Sequence, residues 1–169
     1  MPGLDPLRSE HTLILQTIDR LEARSHESPD GRLPLDYVRA ALAFMRIYID
    51  ENHHGKEERV LFAQMEADPF LSSIAAVLMA DHRDGRELVD AIERAVESGR
   101  PVVREIDAYA AYIRDHIRRE NDMVFQAAES RFDESTMSTI RAAFLDIEAE
   151  VLGTDGKRQL LAGLQTSAD

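Results

Sequence analysis

No cysteine occurs in these 169 residues. Disulfides, thiol nucleophiles, iron–sulfur clusters and cysteine-based zinc sites are thereby excluded. Tryptophan is also missing, and aromatic residues make up only 6%. Positive charge is scarce: 20 Lys and Arg stand against 32 Asp and Glu, for a net charge of −12. Phosphate backbones call for a basic face, so no nucleic-acid partner is expected. Long apolar runs are lacking as well, and nothing approaches the roughly 20 apolar residues of a membrane helix. The opening MPGLDPLRSEH has neither the basic nor the apolar region of a signal peptide, which makes a cytoplasmic location the expectation. No Gly-rich phosphate loop and no G-x-S-x-G element is present, so neither a nucleotide cradle nor an acyl-transfer serine stands out.

What remains is a composition suited to helices. Hydrophobic residues account for 44% and charged residues for 31%, and the length suits one domain with a sizeable core. Four long amphipathic segments can be read at helical spacing, followed by a shorter fifth. The first runs from about Pro6 to Arg24, with Leu7, His11, Ile14, Ile18 and Leu21 on one stripe. The second starts near Leu35 and carries Leu42, Met45, Ile49, His53, Glu57 and Leu61. Asp68-Pro69 supplies a cap and a first-position proline for the third, whose stripe of Leu78, His82, Val89 and Ile92 ends at Gly99. Pro101 opens the fourth, with Ile106, Tyr109, His116, Glu120 and Phe125 facing inward. Asp133 begins the fifth, which Gly153 stops. Short connections favour antiparallel neighbours, so the expected fold is all-α, an up-down-up-down four-helix bundle with an additional C-terminal helix. Residues 1–153 form that domain in this reading, and 154–169 are expected to be a frayed tail.

Each of the four long helices carries a histidine, or a His/Glu pair, on its apolar stripe. Two segments repeat one another: 53-HHGKEERVLF-62 and 116-HIRRENDMVF-125 share His, Glu four later and Phe nine later. Spacing of i, i+4 puts His53 with Glu57, and His116 with Glu120, on one helix face about 6 Å apart along the axis. Neighbouring residues on a helix diverge by about 100°, so His54 and Glu58 are expected outside, exposed or behind the inward pair. In an up-down-up-down bundle His11 and His82 lie level with those two pairs, and all six residues converge. Burying two carboxylates and four imidazoles costs several kcal/mol per charge unless they are paired, and a pair of metal ions supplies that pairing. Four nitrogens with two carboxylates suit iron, manganese or zinc. The ferritin-like alternative requires Glu-x-x-His on two helices; only Glu51 and His54 give such a spacing, and no second copy exists.

The pattern His…His-x-x-x-Glu…His…His-x-x-x-Glu, carried by HHGKEERVLF, DHRDGRELV and HIRRENDMVF, resembles the hemerythrin-like, HHE cation-binding family over roughly residues 5–150. The resemblance implies a non-haem di-iron centre, oxo- or hydroxo-bridged. In it His11 and His53 bind one iron, His82 and His116 the other, and Glu57 and Glu120 bridge them. The reversible oxygen carriers of that family have a fifth histidine four residues along the third helix, where this chain has Arg86. They also have an aspartate at longer spacing in place of Glu120. The four-His, two-Glu set is closer to the branch of iron-centre repair and iron-sensing proteins. It implies a protein that binds and reacts with O2, H2O2 or nitric oxide, as a monomer or weak homodimer; the alternative is a non-catalytic oxygen or iron sensor, or a reversible O2-binding module. Tyr112 and Tyr109 lie one and two turns before His116, and either pack in the core or line the pocket, with Tyr112 placed to replace the absent histidine. Arg86 either pairs with a bridging glutamate or extends to solvent.

Overall fold

The computed structural model describes residues 3–166. All regular structure among them is helical. Helix α1 spans Asp5–Glu27, with Pro6 in its first turn. Helix α2 occupies residues 35–65 without a break, and α3 is Pro69–Glu97. Helix α4 covers residues 103–131, α5 is Glu134–Val151, and α6 is Gly156–Thr166.

The stops and starts follow local chemistry. Asp68 accepts hydrogen bonds from the Phe70 and Leu71 amides at 2.9 and 3.2 Å, with Pro69 at the first position of α3. Gly99 and Gly153 end α3 and α5 with φ of 65° and 57°, a left-handed conformation that costs other residues more. Asp133 caps α5 through the Thr136 amide.

Helices α1 to α4 form the antiparallel bundle: α1 packs on α4, α4 on α3, and α2 closes the ring against both α3 and α1. Helix α5 crosses the outside of α2. The six residues 156–161 and those that follow, expected as tail, instead form α6. Leu160, Leu161 and Leu164 share one face and pack on the main apolar cluster beside α2. Eleven helical residues that cover apolar surface are retained where the same residues alone in water would fray.

The core has two apolar parts. A larger one gathers Ile14, Ile18, Phe44, Tyr48, Ile49, Ile92, Ile106 and Ile113; a smaller one gathers Leu7, Leu61, Phe62, Leu71, Leu78, Phe125, Ile140 and Phe144. Between them lies a layer of buried polar side chains, so the site is sandwiched within the bundle.

At that layer α2 and α4 widen into π-type turns. The Phe62 amide donates to the Glu57 carbonyl, and the Phe125 amide to the Glu120 carbonyl, each five residues back. The two repeats seen in sequence thus share a backbone irregularity of a kind often found at functional sites.

Candidate metal centre

His11, His53, His82, His116, Glu57 and Glu120 all converge, and each is at most 1% exposed. The two carboxylates lie between the histidines. Glu120 turns Oε2 towards His11 Nε2 at 3.2 Å, and Oε1 towards His116 Nε2 at 3.1 Å and His82 Nε2 at 3.7 Å. Glu57 does the same, with Oε1 3.6 Å from His53 Nε2 and Oε2 3.4 Å from His82 Nε2. Each glutamate therefore presents one oxygen to the α1 side of the cluster and one to the α3 side.

His54 is a correction. It was expected outside the inward pair, yet it is buried, with its ring stacked on His82 at a centroid distance of 3.8 Å. The reason is that α2 is enclosed at this level by α1, α3 and α5, so the buried arc takes in Asn52, His53, His54, Lys56 and Glu57. Two groups result: His11, His53, Glu57 and Glu120, and His54, Glu57, His82 and His116. In each group the ligand atoms lie within 4.8 Å of one another, and Glu57 is common to both.

Outside the cluster, each imidazole turns Nδ1 to an oxygen. His53 donates to Glu10 at 2.8 Å, His82 to Glu58 at 2.7 Å, and His11 to Asn121 Oδ1 at 3.0 Å. His54 reaches Asp50 at 3.4 Å, and His116 lies 3.6 Å from Asp81, too far for a hydrogen bond. A carboxylate behind an imidazole fixes its tautomer and leaves the Nε2 lone pair pointing inward.

That inward surface is short of partners. His11 Nε2, His53 Nε2, His54 Nε2 and all four carboxylate oxygens of Glu57 and Glu120 are buried without an aligned hydrogen bond. His82 and His116 bring their Nε2 atoms within 3.1 Å of each other, which is repulsive unless a cation or proton lies between them. Unsatisfied buried polar groups cost about 1–3 kcal/mol each, so a cluster of this size fits bound cations and is poorly explained as packing. Without ions, protons take part of that role. Burial lowers the His82 imidazolium pKa, but the facing carboxylates of Glu120 and Glu57 and the hydrogen bond to Glu58 outweigh this and push it up to about 11. Burial alone would raise the Glu120 carboxyl; the facing His116, His11 and His82 hold it well below the usual range.

The two tyrosines and the arginine fall behind this layer. The Tyr112 hydroxyl donates to the Asp81 carbonyl at 2.9 Å, and its ring stacks on His116, so it packs and does not point into the cluster. Tyr109 is buried beside Tyr112. Arg86 pairs with neither bridging candidate and does not extend freely to solvent. It donates to Asp50 at 2.7 Å and Glu58 at 2.8 Å, the carboxylates behind His54 and His82. A small pocket lined by Met45, Ile49, Asp50, His54, Arg86 and Tyr109 reaches His54, with room for little more than a water-sized guest.

Glu10, Lys56, Asn121, Asp50 and Asp81 were not identified from sequence. Lys56, 1% exposed, joins Glu10 and, at 2.7 Å, Glu148 of α5. Burial pushes the Glu10 carboxyl up, but the His53 hydrogen bond and the charges of His53 and Lys56 outweigh it and hold it down at about 2. No spacing rule marks such residues; only the packing of α5 over α2 turns a lysine inward.

The sequence model of the hemerythrin HHE cation-binding domain matches residues 3–128. Mb2018 of Mycobacterium bovis, named an uncharacterized protein, is 24% identical over 135 residues, covering 75% of this chain and 53% of its own length. MT2051 and Rv1995 of Mycobacterium tuberculosis, named likewise, match to the same extent. The chain spans about half the length of these curated relatives. No solved structure gives a significant match. Among the described residues no helix is long and apolar enough to cross a membrane.

Proposed function

The chain belongs to the hemerythrin HHE cation-binding family, and on that premise we propose that it holds two iron ions and uses them to bind and react with O2, H2O2 or nitric oxide. His11 and His53 would hold one ion, His82 and His116 the other, and Glu57 and Glu120 would be shared between them. The observation that carries this reading is the pair of buried four-residue groups sharing Glu57, with inward nitrogen and oxygen atoms that lack hydrogen-bond partners. When bound, such an iron pair supplies redox change and open positions at which a small molecule can be polarised or reduced.

The chain's own residues prepare that chemistry. Glu10, Glu58 and Asn121 fix the tautomers of His53, His82 and His11, so the lone pairs already face the ions. The apolar clusters on both sides, rich in Ile, Leu and Phe, keep bulk water from the layer. The pocket beside His54 has room for little more than a water-sized guest, which excludes large substrates. Arg86, held by Asp50 and Glu58, lines that pocket.

The test is spectroscopic. Protein loaded with iron under reducing, anaerobic conditions should show a change in charge-transfer absorption on adding peroxide, oxygen or nitric oxide. A protein without bound iron, or with iron and no response to any of the three, overturns the reading. A sensor is the second reading, and one link favours it: Lys56 connects Glu10, behind His53, to Glu148 on the outer helix α5. Metal-dependent change in α5 with negligible turnover would identify that role.

A further inference from the structure

We infer that an open cleft between the C-terminal half of α1, the start of α2 and the end of α6 binds a small organic anion, a carboxylate or phosphate monoester carried on an apolar body. The site is separate from the buried polar layer and does not depend on the metal reading.

Helical spacing builds one wall of the cleft. Arg20, Ala23, Arg24 and Glu27 stand at i, i+3, i+4 and i+7, on one face of α1. Leu33, Pro34 and Tyr37 supply more of the lining, and Leu164 and Gln165 come from α6. The space amounts to about 910 Å³, and a smaller pocket of about 130 Å³ shares Arg20, Tyr37, Leu164 and Gln165 with it. Ligand sites for small organic molecules run from roughly 300 to 1,000 Å³. At 1.5 Å per residue Arg24 stands roughly 20 Å along α1 from His11, well clear of the metal ligands.

The charge of this cleft runs against the rest of the chain. Acids outnumber bases 32 to 20, and several arginines hold two carboxylates each. Arg46 has Asp90 and Glu93, Arg86 has Asp50 and Glu58, and Arg114 of α4 has Asp19 and Glu22. The acids of α1 closest in sequence to Arg20 are therefore engaged elsewhere. Arg20 has no ion-pair partner among the described residues, and Arg32 meets the exposed Asp30 at 3.5 Å. Three guanidiniums and one carboxylate, that of Glu27, line the cleft.

Tyr37 adds an unused polar group. It is 5% exposed, with the Arg24 guanidinium over its ring at 4.3 Å, and its hydroxyl makes no hydrogen bond among the described residues. Burial raises the Tyr37 phenol while the charges of Arg24 and Arg20 oppose this, so both guanidiniums lie close to it. Stacking of an arginine on a tyrosine accounts for Arg24 alone and leaves Arg20 and the phenol O–H without a role. Together these donors match the oxygens of one carboxylate or phosphate head, and Ala23, Leu33, Pro34 and Leu164 suit an apolar body. A nucleic acid does not fit, because the net charge of −12 repels an extended polyanion.

The experiment titrates phenyl phosphate and phenylacetate, in turn, into the full chain by calorimetry, in metal-free and iron-loaded form. At least one probe is expected to bind both forms with the same affinity, and the tighter of the two tells a phosphate head from a carboxylate. Inorganic phosphate and benzyl alcohol, each carrying half of the chemistry, should bind at least about 10-fold more weakly. Arg20→Gln should weaken the probe about 10-fold and Tyr37→Phe about 3-fold, the loss of a charge-assisted and of a neutral hydrogen bond. Arg39→Gln, which removes an exposed arginine paired with Asp36 outside the cleft, should leave binding unchanged. Arg20 is itself exposed, so its variant keeps the fold. No binding of either probe, or equal affinity in Arg20→Gln and wild type, overturns the inference. So does binding that requires iron and survives Arg20→Gln, which would place the anion on the metal.

Discussion

Removing the buried ammonium of Lys56 gives a direct measure of how the site is supported. Lys56 is 1% exposed and contacts Glu10 and Glu148. The Glu148 side chain is 45% exposed, so that contact is worth on the order of 0.2–1 kcal/mol. The Glu10 contact dominates, because the Glu10 side chain is only 9% exposed and its other partners are His53 Nδ1 and the Asn52 amide. Substituting Lys56→Met leaves a buried carboxylate without its counter-charge, at a cost of about 3–5 kcal/mol. For a chain of this length each kcal/mol moves the Tm by about 2–4 °C, so a drop of roughly 6–20 °C is expected. The double variant Lys56→Met/Glu10→Gln removes the stranded charge and should recover more than half of the loss, an interaction energy of about 1.5–3 kcal/mol. The assay is urea unfolding of the four metal-free proteins at neutral pH. A Lys56→Met loss below about 1 kcal/mol, or strictly additive substitutions, would refute the linked Lys56–Glu10–His53 chain.

Two further outcomes follow from neighbouring groups. Glu10 is held at about 2 against an ordinary value near 4.5, so its contribution to folding is present above the ordinary value and lost as pH falls through about 2. In metal-free protein Glu10 accordingly contributes up to about 3 kcal/mol at pH 6 that disappears between roughly pH 5 and pH 2; Glu10→Gln should flatten the stability profile in that window, and an unchanged profile in denaturation at stepped pH would contradict it. Gly85 lies where an added Cβ would stand 2.6 Å from the Tyr112 hydroxyl oxygen. Gly85→Ala should lower stability by about 1–2 kcal/mol, despite alanine's better helix propensity, and Tyr112→Leu in that background, which removes the ring that the added Cβ meets, should relieve part of the loss. Thermal melts that show Gly85→Ala alone to be stabilising would show that the ring can yield.

Much of the architecture was legible because burial in a helix bundle repeats every turn. The stripes through Ile14, Ile49, Leu78 and Ile106 set out the four long helices, and Asp68, Gly99, Asp133 and Gly153 marked their limits. The doubled His-x-x-x-Glu identified the convergent residues because a repeated spacing is improbable on solvated faces. What stayed hidden depends on three-dimensional cover. Helix α6 was passed over because eleven residues with Leu160, Leu161 and Leu164 have little helical stability until they meet α2. His54 was assigned outward because a 100° turn rules it out of a two-sided bundle, whereas α2 is enclosed by three helices at that level. Lys56 and Glu10 were silent for the same reason: charged residues are solvated on most helices, and here Glu10 is enclosed against α2 and Lys56 beneath the crossing α5.

The ratio of metal to protein, measured in wild type and in Glu57→Ala after iron loading, addresses the central claim most directly. Glu57 is the one residue common to both groups of ligand atoms. Two ions per chain in the wild type, falling below one in a Glu57→Ala variant that keeps its helical circular dichroism, is the expected result. One ion or none in the wild type, or two ions retained without Glu57, would contradict a dinuclear centre built around this glutamate.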